Sequence, residues 1–108
     1  MATVKPIPDG YPRVTPYLHV DGASKAIDFY RTVFGAKERM RMAGPDGRIG
    51  HAELEIGNSM IMVADEHPDM NIRGPKSVGG TPVTVLVYVE DVPPDEMAKR
   101  AAKMMGGN

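Results

Sequence analysis

The chain has 108 residues, the size of one domain, and is 42% hydrophobic and 25% charged, an ordinary globular balance that excludes a disordered tail, a collagen-like chain and a simple coiled coil. Thirteen basic residues against fourteen acidic ones leave a net charge of −1, so there is no global electrostatic case for nucleic acid or an anionic membrane as partner. Cysteine is absent, which removes disulfides, a thiolate nucleophile and Cys-ligated zinc or iron–sulfur clusters.

Residues 1–12 hold Pro6, Pro8, Pro12 and Asp9-Gly10, and read as an extended arm without the apolar core of a signal peptide. No stretch approaches a membrane span, so a reducing cytoplasm is the expected location. Val14–Val20 alternates, with Val14, Leu18 and Val20 on one side and Thr15, Tyr17 and His19 on the other, predicting a strand with one buried face. Pro16 lacks an N–H and predicts an edge or an irregularity there.

Ala23, Ala26, Ile27, Tyr30, Val33 and Phe34 recur at helical spacing. Asp21 or Ser24 is the expected cap and Gly35 the expected stop. Three short strands follow: Ala36–Met42, Ile49–Ile56 and Ser59–Ala64, separated by turns at Gly44-Pro45-Asp46-Gly47 and Gly57-Asn58. In the second, Ala52, Leu54 and Ile56 face one way and His51, Glu53 and Glu55 the other; in the third, Ile61 and Val63 alternate with Met60, Met62 and Ala64.

Asp65–Gly80 is polar and reads as a linker or surface loop. Val83–Val89 is β-branched and predicts another strand, and Pro93–Met105 a last helix with Asp95 and Glu96 in its first turn. The domain map is thus an arm over 1–12, a βαβββ module over 13–64, a linker over 65–81, and a strand plus helix over 82–108. The run Val14–Asp21 is similar to Val83–Glu90, and each precedes a helical pattern, a weak internal repeat. The chain reads as one complete module and the opening of a second, an α+β architecture.

The element order, the run Val20–Tyr30, Phe34-Gly35-Ala36 and the words Asp46–Glu53 and Ile61–Glu66 resemble the vicinal oxygen chelate superfamily, which includes glyoxalase I, bleomycin-resistance proteins and extradiol dioxygenases. The resemblance implies two βαβββ modules whose sheets pair into a cup that holds a divalent metal and a substrate. Here most of the second module is missing, so completion by a homodimer, with the Val83 strand and last helix crossing over to the partner, is the expectation. The family's metal-ligand positions fall by alignment on Thr15, Met62 and Thr84, two hydroxyls and a thioether, which are poor ligands for divalent metals. No metal and no other cofactor is expected.

Tyr17, His19, His51, Glu53, Met60 and Met62 would then face the cup and form the candidate ligand site for a small hydrophobic or mixed-polarity molecule. His51 and Glu53 suit an acid–base pair, while the plainer reading is a solvated strand face. His51, Glu53 and His19 form a lesser alternative as an open metal site; His67 beside Asp65, Glu66 and Asp69 reads as a solvated turn. Lys37, Arg39, Arg41 and Arg48 read as a solvated basic edge rather than a nucleic-acid site. There is no phosphate loop, and with no Gly-x-Ser-x-Gly elbow and no Cys covalent acyl transfer has no candidate. A metal-free binding protein ranks first, an inert half-domain second, and a metal-dependent lyase, isomerase or dioxygenase third.

Overall fold

The structure, a computed structural model, describes residues 5–90. The expected strand Val83–Val89 has no ladder partner among the described residues, and the helix expected over 93–105 lies outside them. The elements are β1 (Tyr17–Val20), α1 (Ala23–Phe34), β2 (Lys37–Ala43), β3 (Ile49–Ile56), β4 (Ser59–Asp65), a 3-10 turn at Pro68–Met70 and a short α2 (Pro75–Val78). The four strands form one mixed sheet in the order β1-β4-β3-β2, with β1 parallel to β4 and the other pairs antiparallel. This is the α+β, βαβββ arrangement that the hydrophobic periods predict.

The helix packs on one face of the sheet. Ala23 and Ile27 meet Ala52, Leu54, Ile61 and Val63, and Ile27, Ile49, Leu54 and Val63 are the largest fully buried side chains. Each such aliphatic side chain contributes about 2 kcal/mol by leaving water. Gly35 ends the helix in the left-handed region, at φ 68°, where a side chain would be strained.

Neither Asp21 nor Ser24 caps the helix start. The work is done from the far side of the sequence by Asp65, the last residue of β4. Its Oδ1 accepts from the Gly22 N–H (2.9 Å) and the Ala23 N–H (3.0 Å), and its Oδ2 accepts from the Ile49 N–H (2.7 Å). One carboxylate therefore ties the ends of three elements together and supplies negative charge at the positive end of the helix dipole. Burial pushes the Asp65 pKa up, but those three N–H donors and the nearby Arg48 outweigh it and hold the carboxyl below its ordinary value.

Three other departures from the sequence reading have local causes. β1 begins at Tyr17 rather than Val14: Val14 is exposed, Pro16 has no N–H to give a ladder, and its carbonyl still accepts from the Met62 N–H at 2.9 Å. Met60 and Ala64 are buried although they alternate with the helix-facing Ile61 and Val63, so β4 is covered on both faces. The polar stretch after β4 is not a slack linker. Glu66 accepts from the Gly74 N–H (2.9 Å) and Ser77 Oγ (2.5 Å), and Arg48 Nη2 donates to its carbonyl (3.1 Å), which pins the segment carrying α2 beside β1.

Candidate functional site

Residues paired across neighbouring strands share a face. Tyr17 pairs with Met62, Met62 with Glu53 and Glu53 with Met40, so these four form one row across the sheet on the side away from α1. His51 pairs with Met42 on the same side, and His19 lies two residues beyond Tyr17.

The polar members of this face are joined in a single chain of hydrogen bonds. Tyr11, from the arm, donates its hydroxyl to Glu53 Oε1. His51 Nε2 lies 2.8 Å from Glu53 Oε2, and His51 Nδ1 lies 2.7 Å from the Tyr17 hydroxyl. An ionised carboxylate only accepts, so neutral His51 carries its proton on Nε2 and presents the lone pair of Nδ1 to the Tyr17 O–H. The Tyr17 and His19 rings stack with centroids 4.7 Å apart and planes 7° from parallel.

Burial falls along this chain. Glu53 is the buried charged residue of the described core, at 7% exposure, while Tyr17 is 43% exposed at the other end. Hydrogen bonds from His51 and then Tyr11 lower the Glu53 pKa, against a smaller opposing effect of burial. The same contact acts on the donor: the hydrogen bond to Glu53, then desolvation and the carboxylate charge, raise the pKa of Tyr11.

The expected site residues Tyr17, His51, Glu53 and Met62 thus come together by bonding and register, with His19 stacked against them. Met60 shares their strand but is buried, and lines a cavity of about 820 Å³ with Pro12, Val14 and Pro16. A second cavity of about 610 Å³ runs from Tyr17 and His19 past Phe29 and Tyr30 to Val83 and Val85. Neither is lined by His51 or Glu53; Tyr17, at the exposed end of the polar chain, lines the second.

Tyr11 is the member that sequence reasoning missed. It lies in the Pro-rich arm, far along the chain from Glu53, and the only signal was an aromatic residue inside a segment too polar to pack. The three arginines of the basic edge are paired: Arg39 with Glu55, Arg41 with Glu38 (2.7 Å), and Arg48 with Asp65 (3.8 Å). His67 closes a bridge to Ile72 in a turn.

Neither Thr15 nor Met62, two of the aligned metal positions, carries a nitrogen or a carboxylate in its side chain. Thr15 Oγ1 donates to the Pro12 carbonyl (3.3 Å), and Met62 sits as a thioether between Tyr17 and Glu53 in the row. Nor do His19, His51 and Glu53 form the alternative site: among the described residues, no three His, Asp or Glu side chains gather to hold a metal ion. His51 and Glu53 instead spend their facing atoms on each other.

The model of the Glyoxalase/Bleomycin resistance protein/Dioxygenase superfamily matches residues 12–103, and the chain belongs to that superfamily. Uncharacterized proteins of Mycobacterium bovis and Mycobacterium tuberculosis are each 45% identical to it over 84 residues, which is 75% of this chain. Those residues are 55% and 49% of the two relatives, so the chain spans about half the length of the curated relatives it matches. Among solved structures, a gene product of Arabidopsis thaliana has the same fold, with a TM-score of 0.65 at 21% identity over 87% of this chain and 73% of that one. TioX from Micromonospora sp. ML1 superposes with a TM-score of 0.50 at 25% identity, covering 85% of this chain and 69% of that one. Among the described residues, no helix is long and apolar enough to cross a membrane.

Proposed function

We propose that the chain is a small-molecule-binding member of the superfamily that works without a catalytic metal, with the sheet face carrying Tyr17, His19, His51, Glu53, Met60 and Met62 as its binding surface. The observation that carries this reading is the ordered chain Tyr11–Glu53–His51–Tyr17, which runs from a buried carboxylate to a half-exposed phenol. Burying a carboxylate costs several kcal/mol unless it is well bonded, and a face meant only for packing would be apolar here. Beside the polar chain, Met40 and Met42 stand exposed on β2 and offer a soft wall to a hydrophobic or mixed-polarity ligand.

The working unit in this reading is a homodimer. Val83, Leu86 and Tyr88 are exposed, and β1 is an edge strand whose outer side has no ladder partner among the described residues. A second copy that covers this edge and faces the first module would turn an open face into a cup.

The test is a screen of aromatic fragments by thermal shift and by amide NMR on wild type and His51→Ala, beside light scattering. Binding that perturbs the amides of Tyr17, His51 and Met62, and that His51→Ala weakens about tenfold or more, supports the reading. A well-folded monomer of 11.7 kDa at micromolar concentration overturns the dimer, and stoichiometric tightly held zinc, nickel or manganese overturns the metal-free assignment.

A further inference from the structure

We propose that Tyr17 is a nucleophile that accepts an acyl group from an activated ester, with His51 as its base and Glu53 as the residue that positions His51. The geometry is that of a nucleophile, a base and an orienting carboxylate in series. Tyr17 Oη lies 2.7 Å from His51 Nδ1, and His51 Nε2 lies 2.8 Å from Glu53 Oε2. Glu53 is buried and also held by Tyr11, so it fixes the imidazole with Nε2–H inward and the basic Nδ1 outward. Tyr17 is 43% exposed, which leaves an electrophile an approach to the side chain whose proton is already turned toward the base.

The charge arithmetic favours a neutral substrate. When the proton moves from Tyr17 to His51, a phenolate and an imidazolium appear side by side while Glu53 stays ionised, so the site's net charge is unchanged. An anionic substrate would meet the buried carboxylate without compensation. The surroundings favour an apolar or aromatic body: the His19 ring covers one face of Tyr17, Met62 is its partner across the sheet, and Met42 stands exposed opposite His51. An aryl ester has both properties. Tyr17 Oη attacks the ester carbonyl carbon, and the phenolic proton passes to His51 Nδ1. The new Oη–C bond forms as the bond from that carbon to the aryl oxygen breaks, and the aryl oxide leaves and takes the proton from His51. The products are O-acyl-Tyr17 and a free phenol, with no oxidant, metal or further reactant.

Like the binding reading, this needs the face to be open to small molecules, but it requires neither a dimer nor fragment affinity. The experiment uses the whole chain with p-nitrophenyl acetate, with N-acetyltyrosinamide in the same solution as reference, and locates the acetyl group by peptide mass. Tyr17 is expected to acetylate at least about tenfold faster than the reference. Tyr17→Phe removes the label and its matching release of nitrophenolate, and His51→Ala brings the Tyr17 rate down to the reference. Glu53→Gln lowers the rate and shifts the imidazole nitrogen resonances of His51, a change that mere loss of packing would not give. A wild-type Tyr17 rate at or below the reference, or an acetyl group found on His51 or on Tyr11 in preference to Tyr17, overturns the proposal without any variant having to fold. Fragment binding with no Tyr17 reactivity refutes this inference alone, and fast acetylation with no fragment binding refutes only the binding reading.

Discussion

Replacing Asp65 by Ala removes one side chain that three elements share. Its Oδ1 caps the start of α1 through Gly22 and Ala23, and its Oδ2 holds the start of β3 through Ile49. Loss of a helix cap costs about 1 to 2 kcal/mol, and a buried N–H left without its charged acceptor about 1 to 2 more, so the expected total is about 3 kcal/mol. Domains of this size are stable by about 5 to 10 kcal/mol, so the change removes a third or more of what holds the fold. With a urea slope of about 1.5 kcal/mol/M, the midpoint of unfolding should fall by about 2 M. Asp65→Asn keeps one acceptor oxygen and should lose about half as much. Acid should close the gap. The folded-state pKa of Asp65 is lowered, so its contribution is complete above the unfolded-state value, about 4, and fades as the pH drops through the folded value. Urea titrations of wild type and Asp65→Ala at several pH values measure this. A midpoint drop below about 0.5 M at neutral pH, or a gap that widens in acid, refutes the three-way tie.

Gly74→Ala should destabilise by about 1 to 3 kcal/mol in thermal melts, because a Cβ there would lie 2.8 Å from the His19 carbonyl oxygen and 3.0 Å from the Val20 Cα, both backbone atoms. Leu54→Ala should cost about 3 kcal/mol and Met42→Ala less than about 0.5, since the first is fully buried and the second 60% exposed; denaturant titration separates them. Spectrophotometric titration should show two tyrosines ionising above the ordinary value near 10, Tyr11 through its bond to Glu53 and Tyr30 through burial, and Tyr11→Phe should remove one of the two.

The parts of the fold that were legible in the sequence are those where period and burial agree. β3 occupies Ile49–Ile56 as read, because Ala52 and Leu54 alternate cleanly with His51 and Glu53 and the helix lies on one side only. α1 ends at Phe34 because Gly35 takes a conformation few other residues tolerate. Legibility failed where a distant group overrode a local signal. Val83–Val89 has strand composition, yet among the described residues no strand pairs with it, and composition alone does not say where a partner lies. The cap of α1 could not be found near Asp21 because it arrives from Asp65. In the candidate site, the spacing of His51 and Glu53 placed both on one face, and period-two alternation put Tyr17 on the corresponding side of β1. The hydrogen bonds that order them were not legible, because nothing local reports that Tyr11 reaches Glu53 or that Tyr17 reaches His51.

The strand order has a consequence for how the molecule assembles. β2, β3 and β4 follow one another as a meander with tight turns, so their ladders close over short loops and can form early. β1 comes first in the chain but pairs with β4, so its ladder closes a loop that holds α1, β2 and β3 and is the costliest of the described sheet to close. The phenol of Tyr17 therefore reaches His51 only once that long loop has closed. A chain emerging slowly, or one arrested with its meander formed, holds the imidazole and the carboxylate on β3 but not the group they act on. The site comes into being only with the complete sheet.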